Sequence, residues 1–364
     1  MPIFVNQRLP QYKPEAENLK ILHITEALGG GTESAIREFV SASSADEHHL
    51  LYRGRQSSSS GAEFDEFESS VAVRAGVLGL WNAARSRAAQ LQPDVVHLHS
   101  SWAGLIGRVS AGVFQQAGVV YSPHCFYFER TDIGTLRRSI ASNVERWLLA
   151  RTDVVVAVSP HEEKLARTLG ARNSYYVRNL LRGWVAPARS PRTGRPVIAT
   201  VGRVSRQKDP DFFIETAIAA RKLGVEAQWV WIGGGEDRYT RRLRDNGIHV
   251  TGWLPRKEAR SLLAASSVYV HTAAWESGPV SIEEAQLAGI PIVLRSIPPI
   301  VSLGFPSGLD EPDDMANQVA ETLRESSVNE TVTVPYARAK ELEVQANSLR
   351  TAYLVAADSA AKRK

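Results

Sequence analysis

The chain is poor in cysteine: Cys125 is the only one in 364 residues. That excludes an intramolecular disulfide and any zinc site built from cysteines, and it fits a reducing, cytoplasmic setting in which the one thiol serves packing. No apolar run approaches the roughly 20 residues that a membrane-spanning helix needs, which argues against an integral membrane protein. The opening stretch, "MPIFVNQRLPQYKPEAENLK", lacks the basic start and long apolar centre of a secretion signal, and its two internal prolines read as an extended lead-in. Basic residues are not gathered into a long tract, although the formal net charge is +4. Nucleic acid is therefore a weak default, and anionic small ligands or an anionic membrane surface fit equally well.

What is present is an alternation. Short β-branched runs, "LKILHIT", "DVVHLHS", "VVYS", "DVVVAVS", "PVIATVG", "AQWVWIGGG", "SVYVHTA" and "IPIVLRS", are separated by helical patterns. Strands this apolar suit parallel sheets covered on both faces, so the expected class is α/β with two doubly wound sheets. The length also predicts two domains. The stretch 182–196, "RGWVAPARSPRTGRP", replaces periodicity with proline, glycine and arginine and marks the boundary. The break separates a first domain, 1–182, from a second that starts at residue 183. A polar segment, "RQSSSSGAEFDEFESS", reads as a flexible surface loop of the first.

Ligands of open α/β sheets gather at the carboxyl ends of strands. In "HITEALGGGTESAIREFV" glycines including Gly30 and Gly31 end a strand before a helix starting near Thr32 or Glu33. They leave an anion site or a plain tight turn open as readings, and the spacing is not that of a dinucleotide fingerprint. In "PVIATVGRVSRQKDPDFF" a strand ends at Gly202, Arg203 follows at once and Lys208 lies five residues on, before a helix with Asp209 near its cap and Pro210 in its first turn. A guanidinium fork and an ammonium beside a helix start suit a diphosphate. The glycines of "WVWIGGGEDRYTRRL", among them Gly233 and Gly234, make either a close approach to a nucleotide or only a turn, and "HVTGWLPRKEARSLLAAS" places Leu254 in a turn before a short helix.

The stretch 273–293, "AAWESGPVSIEEAQLAGIPIV", puts Glu276 in a loop and Glu284 in the helix that follows, with Pro279 near the helix start and Gly289 past its end. Val280, Glu284 and Leu287 share one helical face, and Glu283 points elsewhere. The two carboxylates either address one ligand or, in the case of Glu284, pair with a nearby cation.

Together these segments resemble the retaining nucleotide-sugar glycosyltransferases of family 4, in order from about residue 19 to residue 293. The Glu-x7-Glu motif is matched by Glu276 and Glu284, the strand-Gly-Arg then Lys by Gly202, Arg203 and Lys208, and the Gly-Gly-x-Glu loop by Gly30, Gly31, Thr32 and Glu33. A strand-ending histidine is matched by His124 in "VVYSPHCF". The resemblance implies a GT-B fold: two Rossmann-like domains facing across a cleft, the second spanning 183–337, with a last helix at about 338–364 crossing back to the first, 1–182. It implies an enzyme without cofactor or metal that moves a hexose from a nucleotide sugar, a UDP-sugar rather than a GDP-sugar, to a saccharide or lipid-linked acceptor in polysaccharide or glycolipid synthesis. Carried over, Arg203 and Lys208 hold the donor diphosphate and Glu284 accepts the ribose hydroxyls. Glu276, Ser277, Gly278, Pro279 and Val280 lie at the donor sugar, His124 stands near it, and Gly30, Gly31, Gly202, Gly233, Gly234 and Leu254 complete the donor site. The chain departs from the family in having Ser277, Gly278 and Pro279 after the first glutamate, and "IPPIVSLGF" in place of a glycine-rich turn that carries a glutamate.

Rival readings are a sugar-nucleotide epimerase of the same fold, which would form product without acceptor, and a nucleotide-sugar binding protein without turnover. His97 and His99 alternate on one strand face, but no third ligand has convincing spacing, so they read as core or cleft residues rather than a metal site. In "TLRRSIASNVERWLLAR" Leu136, Ile140, Val144, Trp147 and Leu148 form a helical stripe with Arg137, Arg138 and Arg146 set away from it. Core packing and peripheral contact with the inner face of a membrane are both open for that stripe.

Overall fold

Seven runs of the first half pair as a parallel sheet, the central ones β-branched and buried on both faces, the edge ones partly exposed. They are β1 (Lys20–Leu28), β2 (Glu47–Gly54), β3 (Ser69–Ala72), β4 (Val95–His99), β5 (Gly118–Ser122), β6 (Val154–Ala157) and β7 (Ser174–Tyr176), in the order β3-β2-β1-β4-β5-β6-β7. Aspartates at the sheet's lower edge extend its ladders: Asp94 accepts from the Lys20 amide at 2.8 Å and Asp153 from the Val119 amide at 2.7 Å. The connecting helices are α1 (Gly31–Ala42), α2 (Val77–Leu91), α3 (Ser101–Val109), α4 (Thr135–Leu149) and α5 (Pro160–Thr168). The computed structural model describes residues 18–54, 64–74, 76–114, 116–185, 194–326 and 335–363. The lead-in and much of the serine-rich segment lie outside them, but that segment's last residues begin β3 rather than a loop.

The second sheet has five parallel strands, β8 (Val197–Val201), β9 (Gln228–Ile232), β10 (His249–Val250), β11 (Val268–His271) and β12 (Ile292–Leu294), ordered β10-β9-β8-β11-β12. Its helices are α6 (Pro210–Lys222), α7 (Asp237–Asp245), α8 (Arg256–Ala264), α9 (Val280–Leu287), α10 (Pro298–Ser302) and α11 (Pro312–Ser326). Asp209 caps α6 by accepting from the Phe212 amide at 3.3 Å, with Pro210 opening the helix. Phe213 packs edge-on against Trp229 and Trp231 in the core of this unit.

The chain divides into two compact units, 1–182 with 336–364, and 183–335. The last helix, α12 (Pro335–Ala361), serves the first unit: Leu349, Ala352, Tyr353 and Ala356 join Ile21, Val95, Val120 and Val154 in one core cluster. Gly118 allows this close seating, because a Cβ there would lie 2.3 Å from the Ala356 carbonyl carbon. Arg363 clamps the far end, holding Asp153 at 2.5 and 3.1 Å.

Candidate functional site

In the second sheet the strand order reverses between β8 and β11, and such a switch point is where an open α/β sheet takes its ligand. The loops leaving those two strands are sewn together. The Ala274 amide donates to the Gln207 carbonyl at 2.9 Å, Gln207 Nε2 donates to the Trp275 carbonyl at 3.1 Å, and the Thr272 hydroxyl donates to the Lys208 carbonyl at 2.9 Å. This brings Lys208 and Glu276 into an ion pair, both side chains mostly buried. Gly202 and Gly233 have φ of 149° and 141°, and a Cβ on Gly233 would stand 2.2 Å from the Gly202 carbonyl, so only glycine lets the two strand ends close up. Arg203 is half-buried, and its Nε, with Ser205 Oγ and Ser277 Oγ, is buried without a hydrogen-bond partner in the structure. Three unsatisfied polar atoms on adjoining loops are what a polar ligand would satisfy.

Around this edge Arg295, just past β12, donates to Asp209 at 2.7 Å and lies over the Phe212 ring at 4.0 Å. His271 ends β11 fully buried with neither ring nitrogen bonded; burial first, then Lys208 and Arg295, pushes its pKa well below the ordinary histidine value. Gly234 sits against Trp253, and Leu254 packs on the core cluster that contains Ile282 and Ala285. Pro279 is the residue before α9 and Val280 its buried first residue. Glu284 is buried and accepts from Arg260 Nε at 2.8 Å, with Arg260 over the Trp184 ring at 4.9 Å. Glu283, on another face of α9, is as buried as Glu284, because the helix is covered on more than one side.

In the first unit the order reverses between β1 and β4. After β1, Gly30 adopts φ 58° and Gly31 starts α1, both exposed, so the helix presents free amides. Glu33 is engaged by Arg37 at 3.2 Å. Glu26 receives the Trp102 and Ala103 amides at 3.3 and 2.9 Å and so caps α3. After β5, His124 and Cys125 are two successive non-glycine residues with positive φ, 50° and 87°. Such strain persists only where the surroundings over-determine it. Here the buried Glu162 of α5 does so, accepting from the Cys125 amide at 2.7 Å and the Val158 amide at 2.9 Å. Burial lowers the His124 pKa to about 4, so its ring is neutral.

His97 and His99 have a third partner after all. His23, His97 and His99 are buried with ring nitrogens within 4.8 Å of one another, His23 coming from "LKILHIT". Register explains the meeting, since His23 of β1 lies beside His97 of β4. Every nitrogen of the three is already hydrogen-bonded: His97 to Tyr353 at 3.0 Å and Ser122 at 2.9 Å, and the others along a row of histidines.

Residues 30–179 match the family model of the glycosyl transferase 4-like domain, and residues 195–325 match that of glycosyl transferases group 1. The chain belongs to the GT-B glycosyltransferases. A Klebsiella pneumoniae relative, an uncharacterized 41.2 kDa protein in the cps region, is 24% identical over 85% of this chain and 91% of its own length. The Escherichia coli UDP-Gal:α-D-GlcNAc-diphosphoundecaprenol α-1,3-galactosyltransferase is 26% identical over 56% of this chain, which spans 58% of that protein. Among solved structures, Anabaena HepE in complex with UDP-glucose shares the fold with a TM-score of 0.66 at 16% identity, covering 95% of this chain and 99% of its own.

For this glycosyltransferase, sequence reasoning missed Arg295, His271, Glu162, Arg260 and the histidines at 23 and 48. Arg295 follows a strand as Arg203 does, and that signal could have found it. The others depend on contacts distant in sequence, such as that of Cys125 with Glu162.

Proposed function

We propose that this protein is a retaining glycosyltransferase of family 4 that moves a hexose from a UDP-sugar to a hydroxyl of a saccharide or lipid-linked acceptor, in surface polysaccharide or glycolipid synthesis. The observation that carries the reading is the Lys208–Glu276 ion pair at the switch point between β8 and β11, with Arg203 on the loop that leaves β8 and its Nε buried without a partner. Two cations there offset the charge that grows on a departing diphosphate, and such electrostatic stabilisation is commonly the largest catalytic contribution. With those charges supplied by side chains, transfer needs no metal. Glu284 and its Arg260 partner take the ribose, Glu276 the donor sugar, and His124 a sugar hydroxyl. Gly30 and Gly31 offer helix amides to an anion. The choice of uridine leans on the UDP-glucose held by Anabaena HepE, and the lipid-linked acceptor on the name of the Escherichia coli relative.

The test is to incubate the full chain with UDP-galactose and UDP-glucose in excess chelator, with saccharide and polyprenyl-diphosphate-linked acceptors, and follow the first turnovers by proton NMR. A product of retained anomeric configuration is expected. Inversion would overturn the mechanism, and loss of turnover in chelator with rescue by magnesium would overturn metal independence.

A further inference from the structure

A single file of four histidines crosses the first sheet beneath α1. His48 Nδ1 and His23 Nε2 are 3.0 Å apart, His23 Nδ1 and His99 Nε2 3.0 Å, and His99 Nδ1 and His124 Nε2 3.1 Å. At the inner end His48 Nε2 lies 3.0 Å from the carbonyl oxygen of Ser43, the residue that closes α1. It is also 3.2 Å from the Ser43 hydroxyl, whose own proton goes to the Phe39 carbonyl at 2.8 Å. Phe39 stacks on His99 and His124.

A carbonyl oxygen has no proton to give, so His48 Nε2 must carry one, and in a neutral ring Nδ1 is then bare. A bare Nδ1 requires a proton on His23 Nε2, which leaves His23 Nδ1 bare. The same step repeats through His99 to His124. Burial lowers the pKa of His23, His48 and His99 below the ordinary histidine value, which keeps the rings in the neutral forms this logic assumes.

We propose that His48, His23 and His99 are positioning residues that fix His124 as the Nε2–H tautomer, so that its Nδ1 stands as a hydrogen-bond acceptor for a ligand hydroxyl. That the hydroxyl belongs to a sugar rests on the functional reading above; the tautomer does not. An Nδ1 lone pair accepts from a hydroxyl and repels a carboxylate, so the row selects by hydrogen-bond polarity. Because it ends on a carbonyl that cannot take a proton, the row orients His124 and does not conduct protons away.

The experiment is a long-range proton–nitrogen correlation spectrum of the full chain labelled with ¹⁵N-histidine, with signals assigned by single substitutions. His124, His99, His23 and His48 are all expected as Nε2–H tautomers. In His48→Leu the row loses its anchor, His124 should populate both tautomers, and kcat/KM for the acceptor should fall about tenfold, the worth of roughly one hydrogen bond, with UDP affinity unchanged. His48→Gln offers an oxygen to His23 Nε2–H and should restore both the tautomer and the rate. The proposal is overturned by an Nδ1–H or mixed His124 in the unsubstituted protein, which decides the matter even if His48→Leu fails to fold. It is also overturned by an unchanged His124 tautomer in a folded His48→Leu, or by zinc in the purified protein with metal-bound nitrogen signals from this cluster. Tautomers as expected without transfer from any nucleotide sugar would support the positioning and sink the substrate assignment.

Discussion

Lys208 has two claims on its charge. In the structure Glu276 holds it, whereas in the proposed reaction the donor diphosphate needs it. Glu276→Gln should therefore leave UDP affinity equal or tighter, because Lys208 is no longer shared, and should lower turnover through its lost contact with the sugar. Glu284→Ala should weaken UDP and UDP-sugar alike by roughly ten- to a hundredfold, since both carry the ribose and a charged hydrogen bond is worth about 1.5–3 kcal/mol. Titration calorimetry with UDP separates the two; equal losses in both variants would refute the division of labour. Arg203, Lys208 and Glu276 stand out in the sequence because each lies in a loop leaving a strand, and Glu284 because it shares a helical face with apolar residues. Arg260 as the partner of Glu284 was not, since it lies 24 residues upstream and only packing of α8 on α9 brings it near.

Among the elements, α4 turns its apolar stripe outward: Leu136, Ile140 and Trp147 are 73%, 55% and 50% exposed, whereas Leu148, counted in that stripe from sequence, faces the core. With Arg137, Arg138 and Arg146 also exposed, we propose a peripheral contact of this helix with an anionic membrane surface. Sedimentation with phosphatidylglycerol vesicles at low salt should pull the protein down, and Arg137→Glu with Arg138→Glu should abolish this; no binding at low salt would discard the idea. At the seat of α12, Gly118→Ala should lower stability by about 1–3 kcal/mol through overpacking. Gly134→Ala, with open space around its Cβ, should not. Thermal unfolding of the two variants reads the difference, and equal melting temperatures would show that α12 yields freely. The eight strands read from sequence all formed, because an apolar β-branched run buried on both faces has few alternatives. Four were missed: β2 because histidines interrupt its pattern, β3 because it begins inside a polar segment, and β7 and β10, of three and two residues, because they are too short to carry one.

For the molecule as a whole, six histidines, at 23, 48, 97, 99, 124 and 271, have pKa values lowered chiefly by burial. Lowered pKa values mean that the unfolded chain binds more protons than the fold once pH drops below 6.5, the ordinary histidine value, so stability is full above that point and is lost as pH falls. For His124 the loss runs down to about pH 4. Each such group steepens the decline by up to about 1.4 kcal/mol per pH unit. A melting temperature that falls sharply between roughly pH 6.5 and 5 is expected, more gently in His97→Gln; a flat profile would refute it. Two sheets and the break between them were legible from alternation and from a proline-rich gap. The histidine row was not, because parallel register, set by long-range pairing, brought β2, β1, β4 and the loop after β5 into line.

Synthesis and assembly run in opposite orders here. α12 leaves the ribosome after the unit 183–335, yet its Leu349, Ala352, Tyr353 and Ala356 close a core laid down by the first strands, and the Tyr353 hydroxyl is the hydrogen-bond partner that His97 Nδ1 awaits. The unit 183–335 has all its parts before the unit that precedes it does. During translation the first sheet therefore waits with one apolar face uncovered while its younger neighbour can already be complete.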